Sequence, residues 1–419
     1  MKIKKVLIAN RGEIAIRVMR ACTELNLATV ALYTYEDRYS QHRNKADESY
    51  QIGEDNQPLK PYLDMDEIIG LAKAKNVDAI LSENSEFARK CAQNDLIFIG
   101  PAPEVMDALG DKITAKKIAV KCNVPIIESN KKKLTSLKIA LSEAKTIGYP
   151  LMLKAASGGG GRGMRIIRKD EDLEQNFDSA RNEALNSFGD DTMFLEKYVE
   201  DPKHIEVQIV ADNHGNIRHL FERDCSVQRR HQKVVEIAPS HNVSEKVKQE
   251  LYKYAVDIAT EVNYNNIGTV EFLVDKEDNV FFIEVNPRIQ VEHTVTEMVT
   301  GIDLVKTQIF VAGGYKLSDQ QIKIYEQESL KTYGFALQCR LTTEDPGNNF
   351  TPDYGTITTY RSASGMGIRL DAGSIYQGYS VSPFFDSMLV KVSAHGRTLD
   401  GAVRKMVRAL KEFRVRGVK

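Results

Sequence analysis

Apolar and polar positions divide the chain into three stretches of different rhythm. Over residues 1–100 the short apolar runs KKVLIAN, ATVALYT, VDAIL and LIFIGP alternate with amphipathic segments such as 12–26. Strands alternating with helices predict an open parallel α/β sheet. Over 112–310 a period of two dominates, in HIEVQI at 204–209, GTVEFLV at 268–274 and VFFIEVN at 280–286. That period predicts half-buried strands with one polar face, and in HIEVQI it puts His204, Glu206 and Gln208 on that face. Residues 330–419 return to strands in YGFALQCRL, GTITTYR, MGIRLD and SMLVKVS. They close on a helix whose Leu399, Ala402, Val403, Met406, Ala409, Leu410 and Phe413 follow helical spacing and are expected in a core.

The segment EVNPRIQVEH at 284–293 carries the most information. Read as extended chain, it puts Glu284, Asn286, Arg288, Gln290 and Glu292 on one face, although Pro287 fits poorly inside an ordinary ladder. The run DKEDN at 275–279 reads as a turn joining GTVEFLV to VFFIEVN. If Asp275 pairs with Val280, Glu271 falls opposite Glu284. Like charges directly opposed on a sheet are destabilising, so the pair needs a proton, a shifted register or a cation. Two carboxylates with the Asn286 amide suit a hard cation such as Mg²⁺, which takes its remaining ligands from water and phosphate.

A phosphate site has its own signal. SGGGGRGMR at 157–165 places five glycines within 158–163, directly after the apolar run YPLMLKAA. Glycines let backbone N–H groups approach an anion closely. No Gly-Lys-Ser/Thr follows, so this is not a Walker A loop. Lys154 ends the apolar run, where a lysine needs a paired anion. A second cluster, ERDCSVQRRHQKVVE at 222–236, gathers Arg229, Arg230, His231 and Lys233 as either a solvated patch or an anion site. By contrast, NRGEIA at 10–15 offers a single glycine and no dinucleotide fingerprint.

Composition narrows the class. The chain has 419 residues, 42% hydrophobic and 27% charged, enough for two or three globular domains. A net charge of −1 gives no electrostatic case for nucleic acid or an acidic membrane surface. No apolar run reaches transmembrane length, and MKIKKVLIAN begins as a strand rather than a leader. Cys22, Cys91, Cys122, Cys225 and Cys339 are odd in number and scattered, which predicts free thiols and a cytoplasmic setting. Cys225 has no orienting base identifiable as a nucleophile's partner.

Taken together, NRGEIAIRVMRAC, KAASGGGGRGMR, EKYVEDPKHIEVQI, ERDCSVQRRHQKVVEIAPS, GTVEFLV and FIEVNPRIQVEHTVTEMVTG resemble the biotin carboxylase family along essentially the whole chain. The stretch FTPDYGTITTYRSASGMGIRLDAGS is most similar to the biotin carboxylase domain of pyruvate carboxylases. The resemblance implies an α/β and α+β multidomain fold. An N-terminal α/β domain would span 1–111. An ATP-grasp domain would span 112–325, with a mobile glycine-rich lid at about 130–200. A truncated C-terminal β-rich domain would span 326–419.

It also implies roles. Lys112 and Lys154 would bind ATP phosphates under a lid containing Gly158, Gly159, Gly160 and Gly161. Glu196, Lys197 and Val199 would read adenine, and His204, Gln228 and His231 would line the nucleotide region. Glu271, Glu284 and Asn286 would hold Mg²⁺ or Mn²⁺. Glu292 would deprotonate bicarbonate, held by Arg288 and the backbone near Gln290 and Val291. Lys233 would approach carboxyphosphate, and Arg340 would stabilise charge on the ureido oxygen of biotin. Partners would be a biotin carboxyl carrier domain, a carboxyltransferase and a second copy of the chain.

Two departures stand out. The family carries a His-Pro-Gly-Tyr-Gly-Phe-like loop before Ser-Glu-Asn, whereas here Ile80 meets Leu81 directly. Ser82 reads as a helix cap, leaving almost no link between strand and helix. Relatives also continue past RVRGVK, so a fragment without a biotinyl segment is expected. The alternatives are the biotin carboxylase component of an acyl-CoA carboxylase, another ATP-grasp carboxylate–amine ligase, or an inactive nucleotide-binding subunit.

Overall fold

The computed structural model describes residues 2–419 except 131, 133, 156–163 and 231. The first hundred residues build the expected parallel sheet. Strands β1 (Lys5–Ile8), β2 (Ala28–Tyr33), β3 (Glu48–Gln51), β4 (Ala79–Leu81) and β5 (Ile97–Ile99) lie in the order β3-β2-β1-β4-β5. Val6, Leu7 and Ile8 are all buried, because helices cover both faces of the central strand. The link after β4 is ordinary in length. Asn84, not Ser82, caps the helix Ser85–Gln93, its side chain accepting the Phe87 N–H at 2.9 Å. Residues 82–84 therefore remain as a connection within the usual range of about two to six residues.

A small antiparallel sheet follows, with β6 (Leu151–Ala155) between β7 (Arg165–Ile167) and β8 (Met193–Lys197). Helices Leu137–Ile147 and Asp170–Phe188 close it over a core of Leu151, Leu153, Ile167, Leu173, Phe177 and Leu195. Gly158, Gly159, Gly160 and Gly161 belong to the segment between β6 and β7 and lie outside the described residues.

The largest element is one eight-stranded antiparallel sheet. It contains β9 (Lys203–Ala211), β10 (Ile217–Arg229), β11 (Gln232–Ala238), β12 (Asn266–Val274), β13 (Val280–Asn286) and β14 (Phe335–Thr342). The order is β13-β12-β9-β10-β11-β14, continued by strands Met388–Gly396 and Ile368–Ala372. Along β9 the expected alternation holds. Ile205, Val207 and Ile209 pack into an apolar core with Leu251 and Ala255 of the helix Glu245–Glu261. The opposite face carries the buried polar groups Glu206, Gln208, Arg223, Glu236, Thr269, Glu271, Gln338 and Lys391, covered in part by the helix His293–Thr300.

The helix Leu399–Glu412 lies on this sheet through Ala402, Met406 and Ala409. Val403 and Leu410, expected in the core, are 37% and 38% exposed and only flank the buried stripe. No helix among the described residues is long and apolar enough to cross a membrane.

Candidate active site

The hairpin β12–β13 reaches the predicted pairing by a different route. Asp275 accepts the N–H groups of Glu277 and Asn279 at 2.9 and 2.8 Å, and its own N–H reaches the Asn279 carbonyl at 3.1 Å. The turn thus closes one residue tighter than expected, and Val274 rather than Asp275 faces Val280. A bulge between the pairs Phe272–Phe282 and Glu271–Glu284 takes up Ile283 and restores the register. Glu271 then stands opposite Glu284, and Thr269 opposite Asn286. On its other side Glu271 pairs with Glu206 of β9, which pairs in turn with Arg223 of β10. Three glutamates and an arginine form one row across four strands.

Two cations offset the repulsion. Arg223 is fully buried and donates to the Glu206 carboxylate, to Gln208 Oε1 at 2.7 Å, to Thr296 at 3.0 Å, and to Thr269 and Gln290 at 3.1 Å. Lys233 spends its three donors on three carboxylates: Glu206 at 2.6 Å, Glu292 at 2.7 Å and Glu271 at 3.0 Å. Burial opposes its charge, but Glu206, with Glu292 and Glu271, raises its pKa and keeps the ammonium. Glu271 is buried too, which favours its neutral form. A hydrogen bond with His204 and the Lys233 charge outweigh burial and hold its pKa down to about 2. Cys225 sits nearby with its pKa pushed well up by burial and by Glu206, which argues against a thiolate nucleophile.

Beyond Asn286 the period of two breaks. β13 ends there, residues 287–292 turn, and the helix starts at His293. Arg288 consequently swings to the edge of the polar face, where its Nη2 lies 3.4 Å from Asn286 Oδ1. Its side chain is 40% exposed with Nε 3.8 Å from Glu83, while it donates to the Ile289 carbonyl at 3.1 Å. Gln290 and Glu292 still reach the row, Gln290 through a 2.7 Å bond to Glu271 and Glu292 through Lys233. Glu292 also meets Arg340 of β14 at 3.3 Å. Arg340 grips Glu236 at 2.9 and 2.5 Å. Burial raises the Glu236 pKa to about 7 against the pull of Arg340, with Glu292 adding to the rise.

Of the residues expected to hold a metal, Glu271 belongs to a cluster of potential ligands, while Glu284 and Asn286 lie on its other side. The ligand atoms of His204, Glu206 and Glu271 lie within 4.8 Å of one another, but the Lys233 ammonium already lies between Glu206 and Glu271. Among the described residues, the Glu271–Glu284 side has only the neutral Asn286 amide, at 2.9 Å from Glu271 and 3.4 Å from Glu284. A hard cation on that side would supply the missing positive charge.

The expected nucleotide residues fall into two groups. His204 joins Glu271 at 2.5 Å and Gln228 at 2.9 Å, so both belong to the carboxylate cluster. Lys154 instead contacts Glu196 at 2.5 Å, and Lys116 contacts the other oxygen of the same carboxylate. The anion we expected Lys154 to need is thus present within the protein. Its neighbour Lys197 donates to the Gly148 and Tyr149 carbonyls at 2.9 Å. Lys112 opens the helix Lys112–Lys121, and Val199 follows β8. His231 lies outside the described residues. The basic cluster is split: Arg229 binds Glu344 and stacks over Phe350, and Arg230 is exposed in the β10–β11 turn, leaving Lys233 to face the row. Arg223, Glu236 and Lys116 were not anticipated. The first two lie inside the quoted segment 222–236, where the alternation of β10 and β11 offered a signal.

Comparison with known proteins follows the same order along the chain. The profile for the biotin carboxylase N-terminal domain matches residues 2–106, that for the carbamoyl-phosphate synthase L chain ATP-binding domain 111–320, and that for the biotin carboxylase C-terminal domain 338–419. Pyruvate carboxylase of Staphylococcus aureus is 54% identical over all of this chain and 37% of its own length. The biotin carboxylase domain of Hydrogenobacter thermophilus 2-oxoglutarate carboxylase, solved as a dimer with MgADP, ADP and bicarbonate, is 43% identical. It superposes with a TM-score of 0.93 over 100% of this chain and 92% of that one. Rhizobium etli pyruvate carboxylase is 50% identical with a TM-score of 0.92, covering 100% of this chain and 38% of its own. The chain spans little more than a third of the length of the curated relatives it matches. A whole-chain fold match at this identity, together with profiles covering each region in order, shows that the chain belongs to the biotin carboxylase family.

Proposed function

We propose that the chain carboxylates biotin on a carrier domain, using ATP and bicarbonate through carboxyphosphate, as the biotin carboxylase part of a pyruvate carboxylase-like enzyme. The observation that carries this reading is the charge relay on one sheet face. Glu292 is shared between Lys233 and Arg340, and Lys233 ties it to the Glu271–Glu284 pair. The proposed base, the cation proposed for a developing oxyanion and the proposed cation site would therefore share one surface.

Glu271, Glu284 and Asn286 would hold Mg²⁺, which when bound neutralises phosphate oxygens and orients the γ-phosphoryl group. Lys112 and Lys154 would take the phosphates, under the lid glycines Gly158–Gly161. Lys154 would then exchange its Glu196 contact for a phosphate oxygen. Glu196, Lys197 and Val199 would read the adenine, and His204, Gln228 and His231 would flank the nucleotide. Bicarbonate would sit against Arg288 and the N–H groups near Gln290 and Val291. Glu292 would accept its proton as oxygen attacks the γ-phosphorus and ADP leaves. Carboxyphosphate, close to Lys233, splits to CO₂ and phosphate. The phosphate takes the biotin N1′ proton, and the nitrogen attacks CO₂. Arg340 would stabilise the oxygen that carries negative charge meanwhile. Exclusion of water by a lid would protect the labile intermediate.

ADP release with Mg-ATP, with and without bicarbonate and then with free biotin, tests the proposal. We expect bicarbonate-dependent release that rises with biotin. Release indifferent to bicarbonate overturns the reading, and bicarbonate-dependent release indifferent to biotin overturns its second half.

A further inference from the structure

Two buried cationic or ring side chains outside the carboxylate row both aim at the main chain that carries Gln290 and Glu292. Lys391, on the strand Met388–Gly396, is fully buried and is the cross-strand partner of Arg340. Its ammonium donates to the Val291 carbonyl at 3.0 Å and pairs with Glu13 at 3.0 Å, reaching across to the helix Gly12–Glu24. His293 is also fully buried, with Nδ1 2.7 Å from the Gln290 carbonyl. Burial, then the charges of Lys391, Arg17 and Arg369, hold its pKa well below the usual value, so the ring is neutral. A carbonyl only accepts, so Nδ1 carries the hydrogen.

Consecutive carbonyls are thus both held, that of Gln290 by His293 through its Nδ1 and its main-chain N–H at 3.2 Å, and that of Val291 by the Lys391 side chain. The peptide bonds after Gln290 and Val291 are trans, and in a trans peptide the N–H points opposite to the preceding C=O. With their carbonyls held by His293 and Lys391, the Val291 and Glu292 N–H groups point away from both. Among the described residues, neither N–H takes up a hydrogen bond. A buried lysine is an expensive way to satisfy one carbonyl. Orienting the peptide behind it gives that lysine a use.

We propose that Lys391 and His293 are positioning residues for the bicarbonate step: they lock two peptide planes so that the Val291 and Glu292 N–H groups form a preorganised anion cradle and Glu292 stays aimed at Lys233 and Arg340. This rests on the biotin carboxylase reading above and deepens it. Lys391 touches no substrate in this scheme and acts through the main chain.

The test compares Lys391→Met, Lys391→Arg and the double variant Lys391→Met with Glu13→Gln, which removes both buried charges together. Bicarbonate-dependent ADP release is followed in the full chain. We expect the KM for bicarbonate to rise about ten-fold or more in Lys391→Met while the KM for ATP stays within about two-fold, with partial recovery in Lys391→Arg. The double variant, expected to fold more stably, shows the same selective rise. An unchanged bicarbonate KM in either folded variant overturns the proposal. So does a proportional fall in every kinetic parameter with a lowered Tm, the signature of a merely structural lysine. Wild-type release that ignores bicarbonate is a different outcome: it removes the parent reading and the proposal with it.

Discussion

Replacing Lys233 with Met keeps the aliphatic stem and deletes the charge shared by three carboxylates. Breaking one buried pair typically costs about 3–5 kcal/mol, because a charge is left uncompensated. Here each carboxylate keeps one other partner: Glu206 has Arg223, Glu271 has His204, and Glu292 has Arg340. The lower end of that range, about 3 kcal/mol at pH 7.5, is therefore expected without metal. The pH dependence separates charge from packing. In the wild type Glu271 is held to about 2, so its contribution is present above its ordinary value and fades as pH falls toward 2. In the variant Glu206 and Glu271 lose the Lys233 charge that holds their pKa values down, and those values rise. A raised carboxylate stabilises below its ordinary value and destabilises as pH climbs, so the variant recovers on acidification. The gap measured by urea unfolding should shrink by at least about 1.4 kcal/mol, one pKa unit, between pH 7.5 and pH 5. A gap equal at both pH values refutes the electrostatic argument and leaves only lost packing. A cycle with Glu206→Gln should show a coupling of about 1 kcal/mol or more. ADP release should fall about 10²–10³-fold.

Two further expectations use other parts of the molecule. Glu284→Gln removes one of two opposed like charges, so stability without metal should rise by about 0.5–1 kcal/mol. The Mg²⁺ concentration for half-maximal ADP release should rise at least about ten-fold; unchanged Mg²⁺ dependence would show that the cation binds elsewhere. His219 stacks on Tyr252 at 4.0 Å, and burial holds its pKa to about 4. Below its ordinary value of about 6.5 the unfolded chain takes up a proton that the folded chain refuses, so stability falls with pH down to about 4. Substituting His219→Phe should remove about 2 kcal/mol of the wild-type loss between pH 7.5 and 5, read from urea midpoints.

How much of this was legible in the sequence depended on whether each feature is local. Alternation placed His204, Glu206 and Gln208 on one face, and the turn DKEDN brought Glu271 opposite Glu284. The second inference succeeded through two offsetting departures. The Asp275 side chain tightened the turn by one residue, and the bulge at Ile283 took up the difference. Period-two reasoning cannot foresee a bulge, but it can notice that a slipped register would put Glu284 on the apolar face. The third glutamate of the row was out of reach, because β9 meets β12 across more than fifty residues of intervening chain. Arg288 illustrates the opposite failure. Pro287 fits poorly in a strand, and the turn that begins there leaves Arg288 partly exposed, touching the row through Asn286 Oδ1 at 3.4 Å, while the helix start returns Glu292 inward.

The residues hardest to see are those whose work is compensation. Arg223 and Lys233 are buried for the same reason: a sheet face that concentrates glutamates for chemistry must also carry cations to remain folded. Arg223 pairs with Glu206, and Lys233 lies between Glu206, Glu271 and Glu292, whereas among the described residues no cation pairs with Glu284. If Glu271 and Glu284 served only the fold, the inexpensive solution would be a third basic residue or a neutral side chain at one position. The row instead ends in a carboxylate whose sole hydrogen-bond donor among the described residues is a neutral amide at 3.4 Å. The incomplete charge balance is what the proposed Mg²⁺ site would complete, on the end of the row farthest from Arg223.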